Sequence, residues 1–177
     1  MKKLLLLLCF VFINQVVYPV YFKHFGMSDG LSQVSVMSIY QDCLGRMWFG
    51  TREGVSIYDG ERMRVYKGWE NLDPKSSINV LLGHECDHLT GNRQGDIFFR
   101  TCDSLVRYDI REEKFCVVSG CKAKTITSAD GDIWTGYDDM VCRYDEKGDS
   151  LQLYAKTNTP GISSLLISGK KIWIGTY

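Results

Sequence analysis

The chain has 177 residues, 45% apolar and 24% charged, with 21 Lys and Arg against 21 Asp and Glu. That is globular composition, and it excludes a disordered chain, a coiled coil and a polytopic membrane protein. The neutral balance also lacks the basic excess of a nucleic-acid surface. Seventeen Gly, three Pro and 22 aromatic residues suit many short strands joined by tight turns.

Met1-Lys2-Lys3 followed by the apolar run Leu4–Ile13 has the charged and hydrophobic regions of an export signal, and the run is short for a membrane span. Residues 1–19 are expected to be this signal, with an uncleaved anchor as the competing reading, because Asn14–Pro19 offers no small-x-small cleavage site. Cys9 follows Leu8, not the small residues of a lipoprotein site. Beyond the signal remain Cys43, Cys86, Cys102, Cys116, Cys121 and Cys142. An even number in an exported protein permits disulfides. The spacing follows no repeat and contains no CxxC pair, so most read as small buried hydrophobes, with room for one bridge.

Val20–Phe25 reads as an extra strand. Val34–Tyr40 then alternates, Gln41–Gly45 is a turn, and Arg46–Thr51, Val55–Tyr58 and Arg62–Lys67 follow as three more short strands. Four antiparallel strands of this length make one propeller blade. The pattern recurs. Gly45-x-x-Trp48, Gly95-x-x-Phe98, Gly131-x-x-Trp134 and Gly169-x-x-x-Trp173 open four copies, with aromatic anchors 50, 36 and 39 residues apart. A four-stranded blade repeats roughly every 40–50 residues. The second blade is expected from Ile78–Leu82, Asp96–Thr101, Leu105–Tyr108 and Lys114–Val118. The third takes Ala123–Ser128, Ile133–Gly136, Met140–Tyr144 and Leu151–Tyr154, and a fourth takes only Ile162–Ile167 and Lys171–Gly175. The predicted fold is therefore all-β. It is a β-propeller of four-stranded antiparallel blades, incomplete at about three and a half, over residues 20–177. The blades fall near 33–68, 76–119, 122–156 and 161–177, with 20–25 as a ring-closing strand.

The stretch Asp29-Gly30-Leu31-Ser32, then Gly45-Arg-Met-Trp48-Phe-Gly50-Thr51-Arg-Glu-Gly54-Val55-Ser-Ile-Tyr58-Asp59, closely resembles the two-component regulator propeller repeat. The second copy departs at Phe98, Arg100 and Ser104 and by an insertion assigned to the span between its first two strands. The third keeps Trp134 and Gly136 but loses the Thr. The resemblance implies the periplasmic sensor region of a hybrid two-component histidine kinase and response regulator, anchored in the inner membrane and dimeric. An oligosaccharide is the implied ligand. The remaining blades and signalling domains would be its partners. On this reading the chain itself is no enzyme, and no catalytic, cofactor or metal residue is assigned. A secreted carbohydrate-active propeller enzyme and a stand-alone interaction propeller are the alternatives.

Several residues invite chemistry. His84-Glu85-Cys86-Asp87-His88 matches H-E-x-x-H, but zinc hydrolysis needs that motif on a helix. A strand precedes it, Asp87 aligns with the turn residue Asp42, and the segment reads as a polar loop. Trp48, Trp134 and Trp173 occupy equivalent repeat positions and read as blade core. Trp69, in an inter-blade loop, could stack on a sugar, though packing on the next blade is the simpler role. Arg52, Glu53, Asp103, Tyr137 and Asp138 fall in connections on one propeller face. The recurring Asp42, Asp59, Asp109 and Asp145 could suggest paired carboxylates for glycoside cleavage. Matching turn positions explain them better.

Overall fold

Short alternating runs, punctuated by Gly, Asp and Asn at the bends, give a chain built wholly from hairpins. The computed structural model describes residues 20–67, 85–102, 104–118, 120 and 122–177. The first sheet contains β1 (Val36–Gln41), β2 (Met47–Thr51), β3 (Gly54–Tyr58) and β4 (Met63–Tyr66). The second contains β5 (Cys86–Gly91), β6 (Ile97–Thr101), β7 (Ser104–Asp109) and β8 (Lys114–Val117). The third contains β9 (Thr125–Ala129), β10 (Asp132–Tyr137), β11 (Met140–Asp145) and β12 (Ser150–Lys156). The last has β13 (Ile162–Ser168) and β14 (Lys171–Thr176). Every pairing is antiparallel between strands adjacent in sequence. The leading strands β1, β5, β9 and β13 lie against one another in that order, so the sheets fan out from a common axis, as propeller blades do.

The motif residues can be traced to their physical tasks in the first sheet. Asp29 caps the short 3-10 turn Met27–Asp29 through the Gly26 amide at 2.8 Å. Buried Ser32 then donates its amide to Ser56 Oγ at 2.9 Å and lies 2.9 Å from Thr51 Oγ1. Thr51 in turn donates to the Gly54 carbonyl at 3.0 Å. Trp48 is fully buried between the first and second sheets. Gly50 is required by proximity: a Cβ there would run into the backbone carbonyl of Cys86, on the neighbouring β5. We expect Gly50→Ala to cost about 1–3 kcal/mol, as overpacking does, read as a lowered urea midpoint at unchanged m-value. An unchanged midpoint would mean that β5 is free to retreat from β2.

Three readings of the sequence need correction. The strand that pairs with β6 is Cys86–Gly91, whereas Ile78–Leu82 lies outside the described residues. The segment read as a polar loop is therefore largely strand. Its turn residue is Asn92, whose Oδ1 accepts the Gln94 and Asp96 amides at 3.1 and 2.8 Å. Asp42 Oδ1 takes the same place in the first sheet, accepting Leu44 and Arg46 at 3.0 and 2.9 Å. The insertion of the second copy accordingly precedes β5 and does not divide its first two strands. The second correction is Trp173, which is 58% exposed and not core. No further sheet among the described residues covers β14. Thirdly, Val20–Phe25 is in no strand. Its expected ladder partner belongs to a last blade; Phe25 docks against Phe49 and Tyr58 at 5.7 and 4.8 Å, and Lys23 donates from Nζ to the Tyr58 hydroxyl. Of the cysteines, Cys86 and Cys142 are buried and Cys116 half-buried, but Cys43 and Cys102 are exposed. Cys121 lies outside the described residues.

Candidate functional site

Polar chemistry concentrates where neighbouring sheets meet, and successive interfaces follow one plan. At the first, Trp48 of β2 meets Tyr108 of β7 edge-on, with ring centroids 4.9 Å apart. At the second, Phe98 of β6 meets Tyr144 of β11 in the same way, at 4.9 Å. Such pairs contribute about 0.5–1.5 kcal/mol beyond the area they bury. Each interface also carries a cation, buried Arg46 at the first and half-buried Arg107 at the second. Asp42 Oδ2 accepts Arg46 Nε at 2.6 Å and Trp48 Nε1 at 2.8 Å. Burial pushes the Asp42 pKa up, but the Trp48 and Arg46 bonds outweigh that and hold it below the ordinary carboxylate range.

Arg107 is the hub of the second interface. It grips Asp149 of the third sheet through Nε and Nη2, both at 3.1 Å, and reaches Asp96 and Asp109 with Nη1 at 3.2 and 3.0 Å. Tyr144 donates to Asp149 at 2.6 Å. Burial and that bond raise the Tyr144 pKa, so the phenol stays protonated. Burial would raise Asp149 too, yet Tyr144 and Arg107 overcome it and keep the carboxylate ionised.

Beside this hub a recess of about 200 Å³ opens between Asn92 and Asp149. It adjoins a cleft of about 370 Å³ lined by Arg93, Gln94, Asp132, Arg143, Glu146 and Tyr154, among others. The charges there are mostly matched. Arg143 donates to Asp132 at 2.7 Å, Gln94 to Glu146 at 2.7 Å and Gln152 to Asp145 at 2.8 Å. Such a lining can offer hydrogen bonds and a tyrosine face, and has little net charge with which to capture an ion.

The residues singled out in the sequence are dispersed. Arg52, Glu53 and Asp138 are exposed and Tyr137 is half-buried. Glu53 takes Lys67 at 3.3 Å, and Lys122 lies 5.5 Å from the Tyr137 ring centroid. Asp103, Trp69 and His84 lie outside the described residues. His88 sits on β5 with Nδ1 2.9 Å from the Asp87 carboxylate, so the motif lacks the helix that zinc chemistry needs. Asp87 is also held by Arg100 Nε at 2.7 Å, and its pKa is lowered to about 2. Burial opposes that shift, and the bonds from His88 and Arg100 prevail. Asp59, Asp109 and Asp145 each accept backbone amides two and three residues ahead, between 2.8 and 3.3 Å, which is turn chemistry. The Arg107 hub and the Arg143 cleft escaped notice in the sequence. Their signal was positional: each Arg stands directly across the ladder from an aromatic anchor.

The chain matches no protein-family model. A 59-residue stretch, 33% of this chain, is 41% identical to histidine kinase P4 of Formosa agariphila, of which it covers 4%. Among solved structures, the extracellular domain of the hybrid two-component system BT3049 from B. thetaiotaomicron superposes on 87% of the chain. The TM-score is 0.72 and the identity 23%. The fold is a partial β-propeller. The propeller also matches the extracellular domain of BT4673 from the same organism, over 87% of its length, at TM-score 0.68 and 16% identity. Virginiamycin B lyase from Staphylococcus aureus matches over 81%, at 0.56 and 16%. The propeller described here spans 24% of the BT3049 domain, 21% of the BT4673 domain and 50% of the lyase. The resemblance read from the repeat is thus met in fold by extracellular domains of hybrid two-component systems.

Proposed function

We propose that this chain is the exported sensor propeller region of a hybrid two-component regulator. It helps to recognise an extracellular ligand and relays that event to a kinase elsewhere in the parent protein. What carries the reading is the superposition with the BT3049 extracellular domain over 87% of the chain. The stretch 41% identical to a histidine kinase supports it. Residues 1–19 serve as signal or anchor, residues 20–177 lie in the periplasm, and the parent is a homodimer held in the inner membrane. The ligand is a glycan fragment, the class that the family resemblance implies. Binding shifts the relative packing of rigid domains, and only a ligand with different affinity for the two arrangements can do so. The chain performs no chemistry of its own.

The coding sequence beyond codon 177 tests this directly. Further blades, then a membrane helix and a histidine-kinase core, are expected. A coding region that ends in a catalytic domain with no membrane helix would establish the secreted-enzyme alternative. An immediate stop codon would overturn the intact sensor. Thermal shifts of the exported region against a panel of neutral and acidic oligosaccharides then test the ligand class, and a flat response across the panel would exclude a glycan.

A further inference from the structure

The turns of the second and third sheets carry a feature that packing between the sheets does not require. The β5–β6 turn reaches over both turns on that face of the third sheet. Arg93 donates its amide to the Gly131 carbonyl at 3.1 Å and its guanidinium to the Asp130 carbonyl. Gln94 donates to Glu146, in the β11–β12 turn, at 2.7 Å. Gln94, Tyr144 and Glu146 line both recesses beside the Arg107 hub, of about 200 and 370 Å³, so the Gln94–Glu146 bond marks where the two meet. Together the recesses form one groove across the boundary of two four-stranded sheets.

The first interface shows what packing alone demands at these places. Leu44 and Ile110 stand there in the positions of Gln94 and Glu146, one residue before the turn glycine and two after the tyrosine. The aromatic contact is nonetheless the same, with ring centroids 4.9 Å apart at both interfaces. The Gln94–Glu146 bond is also exposed, and exchanging exposed side chains normally changes stability little. The polar pair is therefore not explained by the fold.

Its chemistry suits hydroxyl groups. After their mutual bond, Gln94 keeps its carbonyl oxygen and one N–H, and Glu146 keeps an oxygen. Gln152, tied to Asp145 at 2.8 Å, likewise keeps its carbonyl oxygen. A hydroxyl donates and accepts at once, and so matches a lining of mixed acceptors and amide donors. The four cations and five carboxylates of the two linings nearly cancel, and Arg107 and Arg143 are already held by carboxylates. An anion gains little from such a surface. Tyr154 adds an aromatic ring to the lining, held edge-on against Trp134 at 4.7 Å.

We infer that this groove is a subsite for a neutral, hydroxyl-rich segment of an oligosaccharide, bound across the β5–β6 and β11–β12 turns. The inference rests on the glycan reading proposed above and gives that ligand a place and a charge class. A segment lodged there touches both sheets, so it favours the arrangement in which their turns stay adjacent.

The repeat itself supplies the variant. Gln94→Leu with Glu146→Ile installs the residues of the first interface, and should leave Tm within about 2 °C of the parent value. Calorimetric titration of the intact exported region would use gluco-, xylo-, manno- and galacto-oligosaccharides, with oligogalacturonate as the charged probe. A neutral probe should bind, with little change between about 0.05 and 0.5 M NaCl. The double variant should weaken that binding roughly tenfold or more. Gln94→Ala, which removes the amide without adding bulk, should weaken it in the same direction even if the double variant is poorly folded. Arg52→Ala and Glu53→Ala, in the β2–β3 connection on the opposite face, should bind as the parent does. Unchanged affinity in both groove variants, or a response confined to oligogalacturonate, would overturn the subsite and leave a glycan sensor standing. A flat response of the parent region to every probe would remove the glycan reading and the subsite with it.

Discussion

Asp42→Asn should destabilise the first interface by about 2–3 kcal/mol, despite removing no atom from the core. The Asp42 side chain is fully buried and accepts four donors: two backbone amides on Oδ1, and Arg46 Nε and Trp48 Nε1 on Oδ2. An asparagine can keep its oxygen towards the backbone amides. Its amide nitrogen then confronts two further donors, one of them a cation that is itself buried. The Asp42 charge matters separately, because Glu113, 3.9 Å from Arg46, is too distant and too exposed to replace it. The second sheet provides the internal control. Asn92 occupies the same turn, and the positions matching Arg46 and Trp48 are Asp96 and Phe98. Neither Phe98 nor an ionised Asp96 side chain presents a donor to Asn92. The triple variant Asp42→Asn, Arg46→Asp, Trp48→Phe should therefore recover part of the loss, while Asp42→Asn alone should not. Chemical denaturation of the three proteins decides the matter. A single variant as stable as the parent would mean that the four donors find other acceptors.

The same comparison shows what could be read from the residues. Strands of the first, third and fourth sheets were legible because each repeats a Gly three or four residues ahead of a Trp anchor, and alternation fixes their faces. The leading strand of the second sheet was not. Ile78–Leu82 has the β-branched, apolar look of a strand, whereas Cys86–Gly91 contains Asp87, His88 and Gly91, residues of modest strand preference. Tertiary context decides such cases: β5 is held against β1 and β9 and ladders with β6. A spacing argument would have found it, since Asn92-x-x-Gly95-x-x-Phe98 repeats Asp42-x-x-Gly45-x-x-Trp48. Burial was legible only where a neighbour exists. Trp48 and Trp173 match in the repeat, yet one is enclosed and the other bare, because enclosure depends on the next sheet and not on the tryptophan's own strand. The polar hub was harder still. Arg107 reaches Asp149 across 42 residues, a pairing that emerges only when two sheets are laid side by side.

That hub sets the second large effect. Arg107→Met keeps the aliphatic stem but strips the guanidinium from Asp96, Asp109 and Asp149, and should cost about 2–3 kcal/mol at pH 7. The figure is below the 3–5 kcal/mol of a fully buried pair because Asp149 is partly exposed. The loss should depend on pH with a definite sign. The Asp109 carboxylate is held low, chiefly by the Glu112 amide with help from Arg107. Asp149 is held low against its burial by Tyr144 and Arg107. A depressed carboxylate contributes stability that is complete above its unfolded pKa and disappears as pH falls through its folded value. The gap between parent and Arg107→Met should thus be full at neutral pH and narrow below about pH 4, where unfolded carboxylates begin to take up protons. Tyr144→Phe removes only the 2.6 Å bond to Asp149 and should cost about 1 kcal/mol. Arg107→Met and Asp149→Asn should couple in a double-mutant cycle, because Asp149 is the carboxylate that Arg107 grips with two nitrogens. Urea titrations at pH 7 and pH 3.5 provide the measurement. A gap of equal size at both would show that Arg107 stabilises the interface by packing alone, leaving the charge cluster without energetic consequence.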